Sequence, residues 1–244
     1  MRLKNVAALV TGASSGIGQA VSSHFRREGA RLLLTGRREQ LDTAQTDDLY
    51  VPGDLNDEAF VETLANQAAE SLGTVDVVVI NHGLQASSPL TEMSYEDAKN
   101  VLDSNLLSAF LVMKHFAPLM PPEGGSFVCI SSRLGMVGKP GEVLYSAAKG
   151  GLIMLAKGAA IEWAPRNIRV NVVAPGLTAT PVIEAAIQRS PDPEAYRHER
   201  ETQIPLQRLA TPEEVADAAL FFASSESTYI TGAVLPVDGG YTAF

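Results

Sequence analysis

The sequence predicts an α/β fold in which a parallel β-sheet is covered by helices on both faces. Short apolar runs, such as VAALVT at 6–11 and VDVVVIN at 75–81, alternate along the chain with segments of helical periodicity. The runs are apolar throughout, which is typical of strands that are buried on both faces. No change of composition and no polar linker divides the 244 residues, so we expect a single domain over 1–244.

Seven strands and five helices are predicted. The strands are expected at 6–11, 31–36, 49–54, 75–81, 125–132, 168–176 and 233–240, and the helices at 15–29, 57–73, 94–120, 145–164 and 211–224. Asn56 is predicted to cap the second helix, and Thr211, Pro212 and Glu214 form the pattern of a capping box at the last one. The segment 177–210 is charged and long for a connection, so we expect a substrate loop there, with a lid at about 181–205.

Composition and charge limit the classes of function. The formal net charge is −9, and an acidic surface disfavours binding to a nucleic-acid backbone. The single cysteine, Cys129, lies in an apolar run and is predicted to be buried. We expect no secretory signal and no membrane span, and therefore a cytoplasmic protein. The four histidines show no metal-ligand spacing, so no metal site is expected.

A glycine-rich loop follows the first predicted strand. TGASSGIG spans Thr11 to Gly18, and glycines at 12, 16 and 18 permit a tight turn and the close approach of a ligand. The helix that follows presents free backbone amides and the positive end of its dipole to a pyrophosphate. A turn without a ligand is the alternative interpretation, but the strand–turn–helix context favours a dinucleotide site.

The segment YSAAK places Tyr145 and Lys149 four residues apart in a predicted helix. The two side chains then share one face, and an ammonium beside a phenol favours the phenolate and lowers the pKa of the tyrosine from about 10. A phenol tuned in this way serves as an acid and a base near neutral pH. An ordinary surface contact is the alternative interpretation of an isolated Tyr–Lys pair.

Taken together, the motifs resemble those of the short-chain dehydrogenase/reductase family, in its single-domain branch. The resemblance extends from Val6 to Gly240, and its motifs recur in order: TGASSGIG, GDL at 53–55, NHG at 81–83, Asn105, ISS at 130–132, YSAAK and PGLTAT at 175–180. It implies a Rossmann-like, doubly wound sheet. It also implies an enzyme that transfers hydride between NAD(P) and a secondary alcohol or ketone, and that forms a homotetramer or homodimer.

The resemblance implies four catalytic residues. Tyr145 is the acid and base, Lys149 tunes it, Ser132 holds the substrate, and Asn105 holds a water that links the lysine to solvent. Ser131 competes for the serine role, but the family places its serine thirteen residues before the tyrosine, which selects Ser132. At the end of a strand, Ser132 can donate a hydrogen bond to the reacting oxygen.

The resemblance also implies cofactor contacts along the ends of the strands. Asp54 would reach the adenine amino group, and Thr178 and Thr180 would hold the nicotinamide carboxamide. The full set is Gly12, Ser14, Ser15, Gly16, Ile17, Gly18, Arg37, Arg38, Asp54, Leu55, Asn81, Gly83, Tyr145, Lys149, Pro175, Gly176, Thr178 and Thr180.

The end of the second strand favours NADP(H) over NAD(H). An NAD site usually carries an acid there, whereas this chain has Gly36 followed by Arg37 and Arg38, and a guanidinium can pair with a 2′-phosphate. Serines at 14 and 15 argue the other way, since many NADP-preferring relatives carry a basic residue in that loop. The alternative interpretation of Arg37 is a solvated surface charge.

Two departures from the family pattern bear on the site. His82 stands where the family usually has a small alanine, and we expect it to fill space beside the cofactor rather than to make a polar contact or titrate. The segment 38–49 is short, which predicts a more open pocket for the adenosine end of the cofactor.

Three other functions share features with this sequence. A 3-oxoacyl-carrier-protein reductase is close in length and motif, but MPPEGGS, with Glu123, offers no basic residue to an acidic carrier. The intact catalytic residues disfavour a non-catalytic regulatory binder, and the length and glycine spacing disfavour a nucleotide-sugar epimerase. The lid contains apolar residues for a neutral substrate (Ile183, Ile187, Tyr196, Ile204) and basic residues for an anion (Arg189, Arg197, His198, Arg200), and the sequence does not rank these two substrate types.

Overall fold

Parallel strands form the centre of the molecule. The structure is a computed structural model that describes residues 1–41 and 48–243. Its strands form one seven-stranded sheet in the order β3-β2-β1-β4-β5-β6-β7. They are β1 (Ala7–Thr11), β2 (Arg31–Gly36), β3 (Leu49–Pro52), β4 (Val77–Ile80), β5 (Gly125–Ile130), β6 (Ile168–Pro175) and β7 (Val234–Val237).

The direction of strand addition reverses between β1 and β4. The chain builds β2 and β3 on one side of β1 and then returns to add β4 on the other side, where Leu9 is in register with Val78. Loops that leave the carboxyl ends of two such strands turn in opposite directions, which opens a crevice between them. This reversal therefore determines where a ligand can bind.

Helices cover both faces of the sheet, which confirms the predicted Rossmann-like, single-domain fold class. They are α1 (Gly16–Arg27), α2 (Glu58–Leu72), α3 (Tyr95–Leu102), α4 (Ser108–Phe116), α5 (Val143–Trp163), α6 (Pro181–Gln188), α7 (Pro193–Thr202) and α8 (Pro212–Ala223). Alternate residues of β1 point to opposite layers. Val10 packs in the core with Phe25 of α1, whereas Leu9 packs in the core with Phe116 of α4.

The predicted helix at 94–120 is not one regular helix. A π-helical turn at Asp103–Leu107 separates α3 from α4, and a 3₁₀ turn at Ala117–Leu119 follows α4. A π turn inserts an extra residue into the helical repeat and is common at functional sites. The periodicity of the sequence does not reveal it, because the flanking turns remain helical.

One predicted cap was wrong and another is confirmed. Asp57, rather than Asn56, caps α2, since its Oδ1 accepts from the amide of Ala59 at 3.0 Å. The Asn56 side chain instead donates to Ser104 Oγ at 3.3 Å. At α8 the capping box is present as predicted, with Thr211 as the N-cap.

The segment predicted as a substrate loop contains two helices, α6 and α7. Both begin with a proline at the first helical position, and Asp192 caps α7 by accepting from the amide of Ala195 at 3.0 Å. Ile187 and Ile204 are buried and fix this pair of helices to the body of the protein. The sequence pattern does not reveal these two helices, because a proline that begins a helix is equally typical of a loop, and the role of 181–205 as a lid stays a prediction.

Two further findings concern expectations from the sequence. The open adenosine pocket expected beside 38–49 depends on residues 42–47, which lie outside the described residues. Over the described ranges, no helix has the length and apolar character needed to cross a bilayer.

Candidate active site

A cleft of about 900 Å³ lies at the carboxyl ends of the strands. Every site residue predicted from the sequence lines it, except Gly18. A second cavity, of about 600 Å³, lies at the amino ends of the strands beside Asp76 and Tyr229, and none of the predicted site residues lines that cavity. The crevice between β1 and β4 is thus continuous with the place where the tyrosine, lysine and serine meet.

The glycine loop lies close against the start of α1. A Cβ on Gly18 would lie 2.1 Å from the carbonyl oxygen of Gly12, so no larger residue fits there. Asn81 holds the loop from the other side of the crevice, because its Nδ2 donates to the carbonyl of Gly12 at 3.2 Å. Ser15, at the N-cap of α1, makes no capping hydrogen bond with its side chain. The amides of the first helical turn are therefore left for an anionic ligand.

The lysine of the YSAAK segment is buried beneath the tyrosine. Lys149 Nζ lies 5.9 Å from the centroid of the Tyr145 ring and donates to the carbonyl of Ile130 at 3.1 Å. Burial lowers the pKa of Lys149 to about 8. Ser131 Oγ donates to the carbonyl of Lys149 at 2.9 Å, whereas Ser132 Oγ, which accepts from the Leu134 amide at 3.1 Å, lies beside Tyr145. The two serines thus have different partners: the Ser131 hydroxyl donates to the backbone of α5, whereas the Ser132 hydroxyl lies beside the tyrosine.

The pKa of Tyr145 shifts in the direction opposite to the expected one. Burial raises the pKa of Tyr145 to about 12; the hydrogen bond with Ser132 acts to lower it, and the charge of Glu142 raises it further. The ammonium of Lys149 donates to the carbonyl of Ile130 rather than to the phenol. In the protein without ligands the phenol is therefore protonated at neutral pH, which suits it to donate a proton.

Asn105 lies in the π-helical turn and is buried. Its Nδ2 donates to the carbonyls of Leu84, at 2.7 Å, and Val101, at 2.8 Å, while its Oδ1 is buried with no hydrogen-bond partner. A Cβ on Gly83 would lie 2.4 Å from Asn105 Oδ1 and 3.3 Å from Lys149 Nζ, so only glycine fits against these two groups. A buried acceptor without a partner indicates a place for a donor such as water.

His82 makes polar contacts, so the expectation that it only fills space was wrong. Its Nδ1 lies 2.8 Å from Thr11 Oγ1 and its Nε2 lies 2.8 Å from Ser108 Oγ. Burial, together with the charge of Lys149, lowers the pKa of His82 to about 3, so the ring is neutral at physiological pH. His82 therefore connects the end of β1 to the start of α4. Nothing in the sequence pairs it with Ser108.

The comparisons with known proteins agree with this geometry. A family model described as enoyl-(acyl carrier protein) reductase matches residues 12–242. The chain is 38% identical to a 3-oxoacyl-[acyl-carrier-protein] reductase of Thermotoga maritima, over 98% of this chain and 99% of that one. It is also 38% identical to a cis-4-hydroxycyclohexanecarboxylate dehydrogenase of Sinomonas cyclohexanicum, over 97% and 96%. The chain belongs to the short-chain dehydrogenase/reductase family.

A solved structure supports the same assignment. The ligand-free aldohexose dehydrogenase of Thermoplasma acidophilum superposes with a TM-score of 0.93 at 29% identity, over 99% of this chain and 96% of that one. As a short-chain dehydrogenase/reductase, the protein is an NAD(P)-dependent oxidoreductase that acts on CH–OH and C=O groups of small molecules. A nicotinamide cofactor fits the cleft, because the amides at the start of α1 have no side-chain cap and Gly18 lets the glycine loop pack closely against Gly12.

The two arginines after β2 reach the same cleft. Arg37 and Arg38 line it and are exposed. Arg38 Nη1 donates to the carbonyl of Ser14 at 3.4 Å, and its own carbonyl accepts from the Tyr50 hydroxyl at 2.5 Å. Asp54, in the loop after β3, is also exposed, and its Oδ1 accepts from the amide of Asn56 at 3.0 Å. Over the described ranges, no group of three or more His, Cys, Asp or Glu side chains is placed to hold a metal ion.

The sequence analysis missed three charged residues near this short-chain dehydrogenase site. Arg133 and Lys139 line the cleft, and Glu142 is buried one turn before Tyr145. Gln85 donates to Glu142 Oε1 at 3.1 Å. The only available signal was their position between the ISS and YSAAK motifs, and no spacing rule marks them as functional.

We predict that Gly18→Ala weakens nucleotide binding at least tenfold. The added methyl group would meet the carbonyl oxygen of Gly12 and displace the loop that approaches the pyrophosphate. Fluorescence titration with NADPH and with NADH measures this, with circular dichroism to verify folding. Gly158→Ala is the matched control, because a Cβ at that position meets nothing within 4 Å. Unchanged affinity in the Gly18 variant would show that the loop does not contact the cofactor.

Proposed function

We propose that the protein interconverts a small secondary alcohol and its ketone with Tyr145 as the acid and base, and that NADP(H) is its preferred cofactor. The observation that carries the proposal is the convergence of Tyr145, Ser132, Lys149 and Asn105 at one end of a single cleft. The other end of that cleft is the glycine loop. A substrate oxygen at Tyr145 would therefore be within reach of a nicotinamide ring whose pyrophosphate lies at α1.

When bound, a nicotinamide would supply the hydride to the substrate carbon or accept it from that carbon. In the reductive direction, the Tyr145 hydroxyl donates its proton to the carbonyl oxygen as negative charge develops there. Ser132 Oγ donates a hydrogen bond to the same oxygen, which stabilises that charge. In the oxidative direction, Tyr145 accepts the proton of the alcohol.

Lys149 and Asn105 serve the recovery of that proton. The ammonium of Lys149 is buried and, with a pKa lowered to about 8, it is within reach of proton exchange near neutral pH. Asn105 Oδ1 has no protein partner and lies, like Lys149 Nζ, against Gly83. A water molecule that donates to Asn105 would connect Lys149 to the solvent in the cleft.

The remaining predicted contacts distribute along the dinucleotide. We assign the pyrophosphate to the loop from Gly12 to Gly18, the adenine to Asp54 and Leu55, and the ribose region to Asn81 and Gly83. The carboxamide is assigned to the segment after β6, that is to Pro175, Gly176, Thr178 and Thr180, which lines the cleft. The 2′-phosphate is assigned to Arg37, which is exposed at the cleft and follows Gly36, where no acid repels the phosphate.

The enzyme is proposed to be cytoplasmic and to form a homotetramer or a homodimer. Large apolar side chains are exposed on α4 and α5, including Phe110, Met154 and Ile161, which is 80% exposed. Exposed apolar surface of this kind is typical of faces that bind another protein chain. The segment 181–205, with α6 and α7, is proposed as the lid over the substrate.

The reduction of acyl chains on a carrier protein is the second candidate. It is favoured by the 38% identity to the Thermotoga maritima reductase. Against it, the protein carries a net charge of −9, and Glu123 lies where a basic residue would help to bind an acidic carrier. We therefore prefer a free small-molecule substrate.

We predict that Tyr145→Phe lowers turnover at least about 100-fold, the lower end of what general acid–base catalysis contributes. The variant retains the ring and loses only the hydroxyl, so nucleotide affinity should stay within about twofold. Steady-state kinetics with a panel of ketones, and fluorescence titration of the cofactor, give the two readouts.

Tyr229→Phe is the control for that experiment, because it removes a hydroxyl from a fully exposed side chain far from the cleft. Full activity of the Tyr145 variant would refute the assignment. Loss of cofactor binding together with activity would indicate a damaged fold instead.

We predict that Arg37→Ala weakens NADPH binding by about 10-fold to 100-fold, which corresponds to the loss of a hydrogen bond to a charged group. NADH lacks the 2′-phosphate, so its affinity in the same variant should not change. Arg27→Ala, at the far end of α1, controls for net charge. Equal losses for both nucleotides, or tighter NADH binding by the unmodified protein, would remove the argument for NADP(H).

A further inference from the structure

Arg133 is a buried cation with an unused donor. It directly follows Ser132, lines the cleft and is only 7% exposed. Its guanidinium carbon lies 3.6 Å from the centroid of the Tyr241 ring, so one face of the guanidinium is stacked. Its Nη1 is buried with no hydrogen-bond partner. Buried polar groups are almost always paired, so this orphan donor requires an explanation.

Two further cations lie within electrostatic range of Arg133. They are Lys139, in the loop before α5, and Arg200, on α7. Burial and the charges of the two arginines lower the pKa of Lys139. Arg200 Nη2 donates to the Tyr196 hydroxyl at 2.7 Å. The three cations thus repel one another in a partly desolvated place, which is unfavourable unless an anion joins them.

The nearby carboxylates neutralise this cluster only in part. Asp238 and Glu142 are the acids that act on Arg133 and Lys139. Asp238 already accepts from the Gly240 and Thr242 amides, each at 3.0 Å, and Glu142 accepts from Gln85 at Oε1, while its Oε2 is buried without a hydrogen-bond partner. Three cations face two carboxylates, which leaves one positive charge in excess.

A purely structural role explains only part of this arrangement. Stacking on Tyr241 uses the face of the guanidinium and leaves its edge, where the N–H donors lie, for a planar acceptor. An arginine that served only to hold Tyr241 would leave a buried donor unsatisfied, which is destabilising. The unpaired donor of Arg133 and the cleft that this residue lines therefore indicate a ligand.

We propose that Arg133, supported by Lys139 and Arg200, binds a carboxylate carried by the substrate, so that the enzyme acts on keto acids and hydroxy acids. A carboxylate is a planar monoanion that pairs with a guanidinium through two parallel hydrogen bonds. It matches the single excess charge, whereas a phosphate monoester carries about −1.5 to −2 at neutral pH. Because Arg133 and Ser132 line the same cleft, a carboxylate bound by Arg133 would lie in the cleft that holds the reacting carbonyl. This inference rests on the proposed oxidoreductase function.

Matched pairs of substrates test the proposal. Acetoacetate, 4-oxopentanoate and 4-oxocyclohexanecarboxylate are each compared with their methyl esters, and dihydroxyacetone phosphate with dihydroxyacetone. We expect the enzyme to prefer at least one acid over its ester by tenfold or more in kcat/KM. In Arg133→Gln this acid-to-ester ratio should fall at least tenfold, mainly through KM, and Arg133→Lys should recover part of it. Arg27→Gln, which removes an exposed charge from α1, should keep the ratio unchanged.

Several outcomes would overturn the proposal. They are equal rates for acids and esters, equal losses on both in Arg133→Gln, or a preference for the phosphate ester over every carboxylate. Melting temperatures of the variants separate a folding defect from a lost contact, and recovery in Arg133→Lys provides a second check.

A binding measurement keeps the inference separate from the proposed function. Pentanoate and pentanamide are titrated into the protein by calorimetry, with and without NADPH. Tighter binding of pentanoate, lost in Arg133→Gln, would support the carboxylate site even if no ketone were reduced, in which case the proposed substrates would fail alone. Equal affinity for the two compounds would overturn the inference while leaving the oxidoreductase proposal intact.

Discussion

The contact between the ends of β1 and β4 is the constraint on which the rest of the site depends. Thr11 Oγ1 donates to the carbonyl of Val79 at 3.2 Å and accepts from the Asn81 amide at 2.9 Å. Because that hydroxyl proton is used, Nδ1 of His82 donates to Thr11 Oγ1, and Nε2 accepts from the hydroxyl of Ser108. One buried hydroxyl thus fixes the glycine loop, the turn after β4 and the start of α4.

At the opposite end of the cleft, charged and polar groups are removed from water. Lys149 and Arg133 are buried cations, and Asn105 Oδ1, Arg133 Nη1 and Glu142 Oε2 lack hydrogen-bond partners. Such groups are unfavourable in a packed interior, and a fold tolerates them where a bound molecule completes them. The polar groups at the junction of β1 and β4 thus have hydrogen-bond partners within the protein, whereas several polar atoms of this cluster have none. The paired strands fix the positions of these unpaired polar groups, which a bound ligand would then complete.

Local patterns in the sequence predicted most of the fold and much of the site. Apolar runs located all seven strands, and TGASSGIG and YSAAK located the two ends of the cleft. Three of the errors concern features that no local pattern shows: the π turn around Asn105, the bonds of His82 and the buried environment that raises the pKa of Tyr145. The cluster around Arg133 was missed for the same reason, since its members come from the turn after β5, from α7 and from the loop before α5, and no local spacing relates them.

The sign of the charge in the cleft is opposite to that of the protein as a whole. The chain carries −9, yet among the described residues that line the cleft Asp54 is the only acid, against Arg37, Arg38, Arg133, Lys139 and Lys149. A concave surface with low-dielectric walls concentrates the field of such charges and attracts small anions, whereas the acidic exterior repels extended polyanions. The same chain can therefore exclude a nucleic acid and admit a dinucleotide phosphate. A carboxylate substrate would be attracted by the same positive charges. Its recognition by Arg133 and the recognition of the cofactor phosphates would therefore depend on one electrostatic feature of the cleft.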